Sequence, residues 1–360
     1  MNAVVSNFRA IAEFVDPATV MAVVKANAYG HGLIACADAL VKGGAKYLGV
    51  AFVEEGIELR NAGISTPILV FGGIFGSQIA LYLENDLDLT ASSISKLRAI
   101  EKCAVFMNKE ARVHLKIDTG MERIGVHHYS AKALFEATTY CPHCKIVGVF
   151  SHLATADDED PNFMFLQRER FLGALNFYSE RGIPCPPRHI ANSAGLLKAR
   201  SMHLDIVRPG IALYGIAPSD HLADVVPLKP AISLKSKVVY FKVVKKGSTV
   251  GYGQSWTAPR DCRVVTVPIG YGDGYSRALS NKGSALIRGK RYPIIGRVCM
   301  DQIMVNIGMD EAYNGDEVVL IGAQGNEKIT VQNIAAEIGT ISWEVLTSTN
   351  LRVPRQYVSR

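Results

Sequence analysis

Apolar, β-branched runs recur along the first two-thirds of the chain: VMAVVKA (20–26), YLGVAF (47–52), PILVFGG (67–73), LDLTAS (87–92), ARVHLKIDT (111–119), IVGVFSHLA (146–154), RHIANSA (188–194) and DIVRPGIALYG (205–215). Between them, apolar residues repeat at helical spacing in LIACADALVKGG, VEEGIELRNAG, SSISKLRAIEKCA and FLQRERFLGALNFYSERG. Apolar runs joined by helical crossovers predict a (β/α)8 barrel of TIM type. The runs are almost continuously apolar, as strands covered on both faces require.

The texture changes at Pro227-Leu228-Lys229-Pro230, which reads as a linker. The segments that follow are short and turn-rich: ISLKSKVVYFKVV, RVVTVPIGYGDGY, SALIRGKRYPIIGRV, QIMVNI and EVVLIG. They predict a mostly antiparallel β domain, closed by the amphipathic stretch VQNIAAEIG and the tail LRVPRQYV. The expected division is therefore a barrel over 1–226 and a β domain over 227–360.

Composition narrows the class. The chain has 360 residues, 48% hydrophobic and 20% charged, with a net charge of +6. That is a globular profile with no basic block, so nucleic-acid binding gains little support. No apolar run reaches the length of a membrane span and no signal peptide is evident, which predicts a cytoplasmic protein. Seven cysteines are scattered through the chain. Cys141-Pro142-His143-Cys144 stands alone without a second pair, so reduced thiols are expected and no metal site.

In such a barrel the chemistry lies at the C-terminal ends of the strands. The first run ends in Lys25, followed by Asn27 and Tyr29. The fifth contains Lys116 and leads into Asp118 and Arg123; the sixth ends in Ser151-His152. The seventh ends in Asn192-Ser193, and the eighth carries Arg208 before Gly210-Ile211. This set offers an amine able to bond covalently to a carbonyl, hydroxyl and backbone donors suited to a phosphate, and arginines suited to a carboxylate. It fits pyridoxal 5′-phosphate (PLP) with an amino acid. It also fits the ordinary polar strand ends that any barrel carries.

Nine segments decide between these readings: VVKANAYGHG, HLKIDTGMERIGV, FSHLATAD, HIANSAG, VRPGIALYG, VGYGQSW, PIGYGDGYSR, GRVCMDQ and LRVPR. In this order, across residues 20–355, they resemble alanine racemase, a fold-type III PLP enzyme family. The resemblance implies a homodimer interconverting L-alanine and D-alanine, for peptidoglycan supply or alanine catabolism. It also implies roles. Lys25 resembles the lysine that holds PLP and serves as one base. Tyr252 resembles the second base, supplied by the other subunit. Arg123 is similar to the arginine that binds the substrate carboxylate, and Met300, beside Asp301, to a partner-subunit contact of the same group. Arg208 resembles the arginine facing the pyridine nitrogen, with His152 between it and the tyrosine. Tyr29, Asn192, Ser193, Gly210 and Ile211 resemble the cofactor and phosphate cradle. Lys116 matches a lysine carbamylated in some relatives, where it steadies Arg123, and Tyr271 a tyrosine at the channel mouth. Two features depart from the pattern. An opening strand that many relatives carry is not seen before NAVVSNFRAIAEF, and Leu351 stands where some relatives have a phosphate-contacting tyrosine.

Racemisation removes the α-proton from one face and returns one to the other, which two bases on opposite faces accomplish without motion. Free lysine titrates near 10.4 and tyrosine near 10, so each base needs burial or nearby positive charge to work near neutrality. Rival readings are a racemase for another amino acid, a PLP-dependent decarboxylase and a PLP carrier. The tail lacks the cysteine a decarboxylase of this type needs, and the second domain argues against a carrier.

Overall fold

The computed structural model describes residues 1–358. The described residues divide into two compact units, Met1–Pro230 with Tyr357 and Val358, and Ala231–Gln356. Among the described residues, no helix is long and apolar enough to cross a membrane.

In the first unit, eight parallel strands appear where the apolar runs predict them. They are β1 (Thr19–Val23), β2 (Tyr47–Val50), β3 (Ile68–Val70), β4 (Leu89–Ala91), β5 (Ala111–Asp118), β6 (Cys144–Phe150), β7 (Arg188–His189) and β8 (Ile206–Val207). Pairing runs β3-β2-β1-β8 and β4-β5-β6-β7. A parallel bridge from Leu69 to Asp88 joins β3 to β4. Hydrogen bonds from Arg208 N–H to Ala191 O and from Asp205 N–H to Arg188 O join β7 to β8. The ring is thereby closed. Every residue of β2, β3 and β4 is buried, as strands with both faces covered must be.

The crossover helices follow local chemistry. Helix α1 (Asn2–Val15) buries Val4, Phe8, Ile11 and Val15, one stripe at three- and four-residue spacing. Each such side chain contributes about 1.5–3 kcal/mol on burial. In the helix Ile94–Met107, the Ser93 side chain accepts from Lys96 N–H at the start, and Asn108 turns left-handed at the end.

One expectation is revised. The first run does not stay extended through Lys25: β1 ends at Val23, and Lys25–Tyr29 forms a turn in which Ala26, Asn27, Ala28 and Tyr29 all have φ near +53°. L-residues reach that region at about 1–2 kcal/mol each. The turn survives because its polar groups are satisfied. Glu55 Oε1 accepts from Ala26 N–H at 2.6 Å, and Asn27 Oδ1 from Leu33 N–H at 2.8 Å.

The second unit is built on an antiparallel sheet. Its strands are β9 (Leu234–Lys237), β10 (Tyr240–Val244), β11 (Cys262–Val267), β12 (Ser284–Ile287), β13 (Lys290–Ile295), β14 (Ile303–Gly308) and β15 (Glu317–Gln324), paired in the order β9-β15-β12-β13-β14-β11-β10. The predicted run ISLKSKVVYFKVV is two strands at opposite ends of this sheet. It changes partner at its centre, where Val238 N–H donates to Asp316 O and Val239 N–H to Thr266 O. Helix Val331–Ile338 follows, with Thr330 and Asn333 forming a reciprocal N-terminal cap.

Candidate active site

The strand ends of the barrel gather most of the predicted residues. Lys25 follows β1 at the start of the left-handed turn. Its amine makes no hydrogen bond or ion pair among the described residues. Burial first, then the positive charge of Arg123, holds its pKa below the ordinary lysine value, while Glu55 acts in the opposite sense. The uncharged amine is the form that attacks a carbonyl, and a lowered pKa raises its share, which suits a lysine that holds an aldehyde cofactor.

Arg123 is held by its backbone. Asp118, the last residue of β5, accepts N–H bonds from Gly120 (2.8 Å), Met121 (3.0 Å) and Glu122 (3.2 Å) on Oδ1 and from Arg123 (3.2 Å) on Oδ2. Burial pushes the Asp118 carboxyl up, but these bonds outweigh it and hold the group below the usual value. The loop is thus tied at its root, and the Arg123 guanidinium has no partner among the described residues, free to take a carboxylate. Gln167 ties the same loop to the next one. It donates to Thr119 Oγ1 at 3.2 Å and to His152 O at 3.0 Å, and accepts from Ala154 N–H.

The phosphate-cradle residues converge. Ser193 Oγ accepts from Gly210 N–H at 2.9 Å and Ala212 N–H at 3.3 Å. The Tyr29 hydroxyl lies where a Cβ on residue 210 would project, so only glycine admits it there. Two hydroxyls and backbone N–H groups around one spot are the donor set a phosphate needs. Asn192 acts locally: its side chain accepts from Gly195 N–H at 2.9 Å and caps the short helix Ser193–Lys198.

Arg208 is buried. It donates to His189 Nδ1 (3.0 Å), Ser151 O (2.7 Å), His152 Nδ1 (3.2 Å) and Ile190 O (3.2 Å). Burial pushes it down to about 9, which leaves it charged at neutral pH. Burial, then Arg208, drives His152 well below the usual histidine value, so it is neutral. Lys116 lies over the Phe150 ring, 4.6 Å from its centre, with no ion-pair partner among the described residues. Burial, then Arg208, holds it well below the ordinary value.

The remaining predicted residues lie in the second unit. Tyr252 and Met300 are more than half exposed, and Tyr271 is exposed at 42%. Asp301 Oδ1 accepts from Arg352 Nη2 at 2.7 Å, and Arg352 also binds Asp273. Leu351 is exposed.

Sequence reasoning did not single out Glu55, Gln167, Asp88, His114 or His189. Asp88, His114 and His189 carried a usable signal: each is a polar residue in a run otherwise apolar enough to be buried on both faces.

Comparison with known proteins shows the family of the chain. The alanine racemase N-terminal domain matches residues 1–218 and the alanine racemase C-terminal domain residues 231–357. Alanine racemase 2 of Caldanaerobacter subterraneus subsp. tengcongensis is 42% identical, covering 100% of this chain and 94% of that protein. Alanine racemase of Carboxydothermus hydrogenoformans is 43% identical, over 98% of this chain and 96% of that one. The solved alanine racemase from Bacillus anthracis, with bound L-Ala-P, superposes with a TM-score of 0.93 at 36% identity, over 99% of this chain and 93% of its own. That from Bartonella henselae, with covalently bound pyridoxal phosphate, gives 0.90 at 30% identity, over 99% and 97%. This chain belongs to the alanine racemase family.

Proposed function

We propose that the chain interconverts L-alanine and D-alanine in the cytoplasm as a homodimer, with PLP held by Lys25. The observation that carries this reading is the unpartnered Lys25 amine, kept below its ordinary pKa by burial and by Arg123 and Arg208 from the ends of other barrel strands. When bound, PLP supplies an electron sink for the pair released as the Cα–H bond breaks. Everything else falls to side chains. Arg123 grips the substrate carboxylate and so fixes which face of Cα meets which base. Lys25 Nζ takes or gives the proton on one face, and Tyr252 Oη of the partner subunit does so on the other. Met300 of that subunit, beside Asp301, contacts the carboxylate, and Tyr271 frames the entrance.

Tyr29, Ser193, Gly210 and Ile211 would hold the phosphate, with Asn192 fixing the turn that presents Ser193. Arg208 offers only N–H groups and no lone pair, so it would donate a hydrogen bond to the ring nitrogen and leave that nitrogen unprotonated. His152, whose Nδ1 accepts from Arg208, has its other nitrogen protonated and available to Tyr252.

The uncharged Lys116 amine is the form that adds to CO2, releasing a proton and leaving a carbamate beside Arg123. Protein grown and purified with 13C-bicarbonate should show one carbamate carbon signal, lost in Lys116→Ala; absence of that signal in wild type removes the modification from the account.

The test of the function uses purified protein with PLP in D2O, fed L-alanine and, separately, D-alanine. Loss of optical rotation from both directions, with deuterium gained at Cα, is expected. Cofactor binding with both enantiomers unchanged would overturn the alanine assignment and point to a different amino acid or a PLP carrier.

A further inference from the structure

Arg208 is a buried cation whose direct partners are all neutral: two histidine nitrogens and two carbonyl oxygens. A buried charge needs compensation nearby. A file of buried groups leads from Arg208 across the barrel to a carboxylate. His189 Nε2 lies 2.9 Å from His114 Nδ1. His114 Nε2 lies 2.6 Å from Tyr47 Oη and 3.5 Å from Asp88 Oδ2. Tyr47 donates its hydroxyl to Asp88 Oδ2. Asp88 receives Arg112 through Nε at 2.7 Å and Nη2 at 3.1 Å. Asp88, His114 and His189 are each 0% exposed, and Arg112 carries the end of the file to the surface.

The direction of every hydrogen bond in this file is forced. A guanidinium has no acceptor, so His189 Nδ1 must present a lone pair to Arg208. The neutral ring then carries its proton on Nε2 and gives it to His114 Nδ1, which must in turn be a lone pair. His114 therefore carries its proton on Nε2 and gives it to Tyr47, which gives its own to Asp88. Burial holds both histidines below their usual pKa, so both are neutral at pH 7. Burial pushes Asp88 up, yet the bonds from His114 and Arg112 prevail and keep it ionised. The sheet makes room for this path. A Cβ on Gly148 of β6 would overlap the His114 ring, and the β5–β6 register shifts at Val113/His114.

We propose that Asp88, acting through His114 and His189, is a positioning relay for Arg208: it holds both histidines as Nε2–H tautomers and thereby fixes the charge and aim of the guanidinium. The role given to Arg208 rests on the function proposed above; the tautomers do not.

The test has two arms. In the first, 15N-histidine NMR of the holoenzyme between pH 6 and 8 should show His114 and His189 neutral, with the proton on Nε2. Either ring protonated on Nδ1, or titrating near its free value, overturns the relay. In the second, three variants are compared for kcat, KM and the cofactor absorption band. Asp88→Asn should lower kcat about tenfold or more, as loss of an outer hydrogen-bonding partner does, with KM for alanine little changed. His189→Leu should do the same and shift the band. His189→Gln, whose oxygen can accept from Arg208 and whose NH2 can donate to His114, should recover part of the loss and restore the band. If His189→Leu folds and matches wild type in rate and spectrum, the relay has no role. A wild-type enzyme that leaves alanine unchanged would sink the function instead, while the NMR arm would still decide the tautomers.

Discussion

Lys25→Ala is expected to abolish covalent attachment of PLP and to reduce racemisation in both directions by at least three orders of magnitude. Two losses combine. The chain no longer has a strand-end amine to bond the cofactor aldehyde, and one face of Cα loses its proton carrier. A positioned acid–base group alone is worth about 10²–10⁴-fold. Burial and Arg123 depress the Lys25 pKa, so a larger share of its amine is neutral near pH 7 than in free lysine. Borohydride treatment of the holoenzyme should fix the cofactor to the peptide containing Lys25, and the variant should show no such peptide. The fold should persist, because the turn after β1 is held by Glu55, Asn27 and backbone bonds rather than by the Lys25 amine. Cofactor fixed to another lysine in wild type would refute the assignment.

Tyr252→Phe is expected to retain the cofactor spectrum while losing about 10²–10⁴-fold in racemisation, the range for a single general base. The spectrum should persist because Tyr252 belongs to the second unit, whereas the residues proposed to hold the phosphate belong to the first. Exchange of the α-proton should become one-sided, since Lys25 can still serve its own face. Mixing Lys25→Ala chains with Tyr252→Phe chains adds a stricter check. In a dimer that shares sites, one hybrid site has both bases and the other has neither. Verified heterodimers should regain a part of wild-type activity; if they stay inactive, each subunit supplies its own tyrosine.

The barrel was readable because its determinants are local. β2, β3 and β4 are short, apolar and uniformly buried, and the helices Asn2–Val15 and Ile94–Met107 carry a stripe or a cap visible in about a dozen residues. The placement of candidate residues at the barrel mouth was readable where residue type and strand-end position agree, as for Lys25, Arg123, Ser193 and Arg208. It was unreadable where a neighbour distant in the chain sets the conformation. Only Asn27 in Ala26-Asn27-Ala28-Tyr29 favours a left-handed turn, and the bond from Glu55, 29 residues away, helps hold the rest. The split in 232–244 is similar: Val238 and Val239 sit side by side in one apolar run, yet one bonds Asp316 and the other Thr266.

By itself the sequence determined the order of eight strands, the change to an antiparallel unit after Pro230, and the chemical inventory at the barrel mouth, because hydrophobic period and residue type act over a few positions. The tertiary structure alone decided how those groups are held. Asp118 gathers four N–H groups of the loop bearing Arg123. Asp88 reaches Arg208 across two histidines from β5 and β7. Burial far from water makes each of those contacts strong and one-directional, and burial of that kind depends on how remote segments pack.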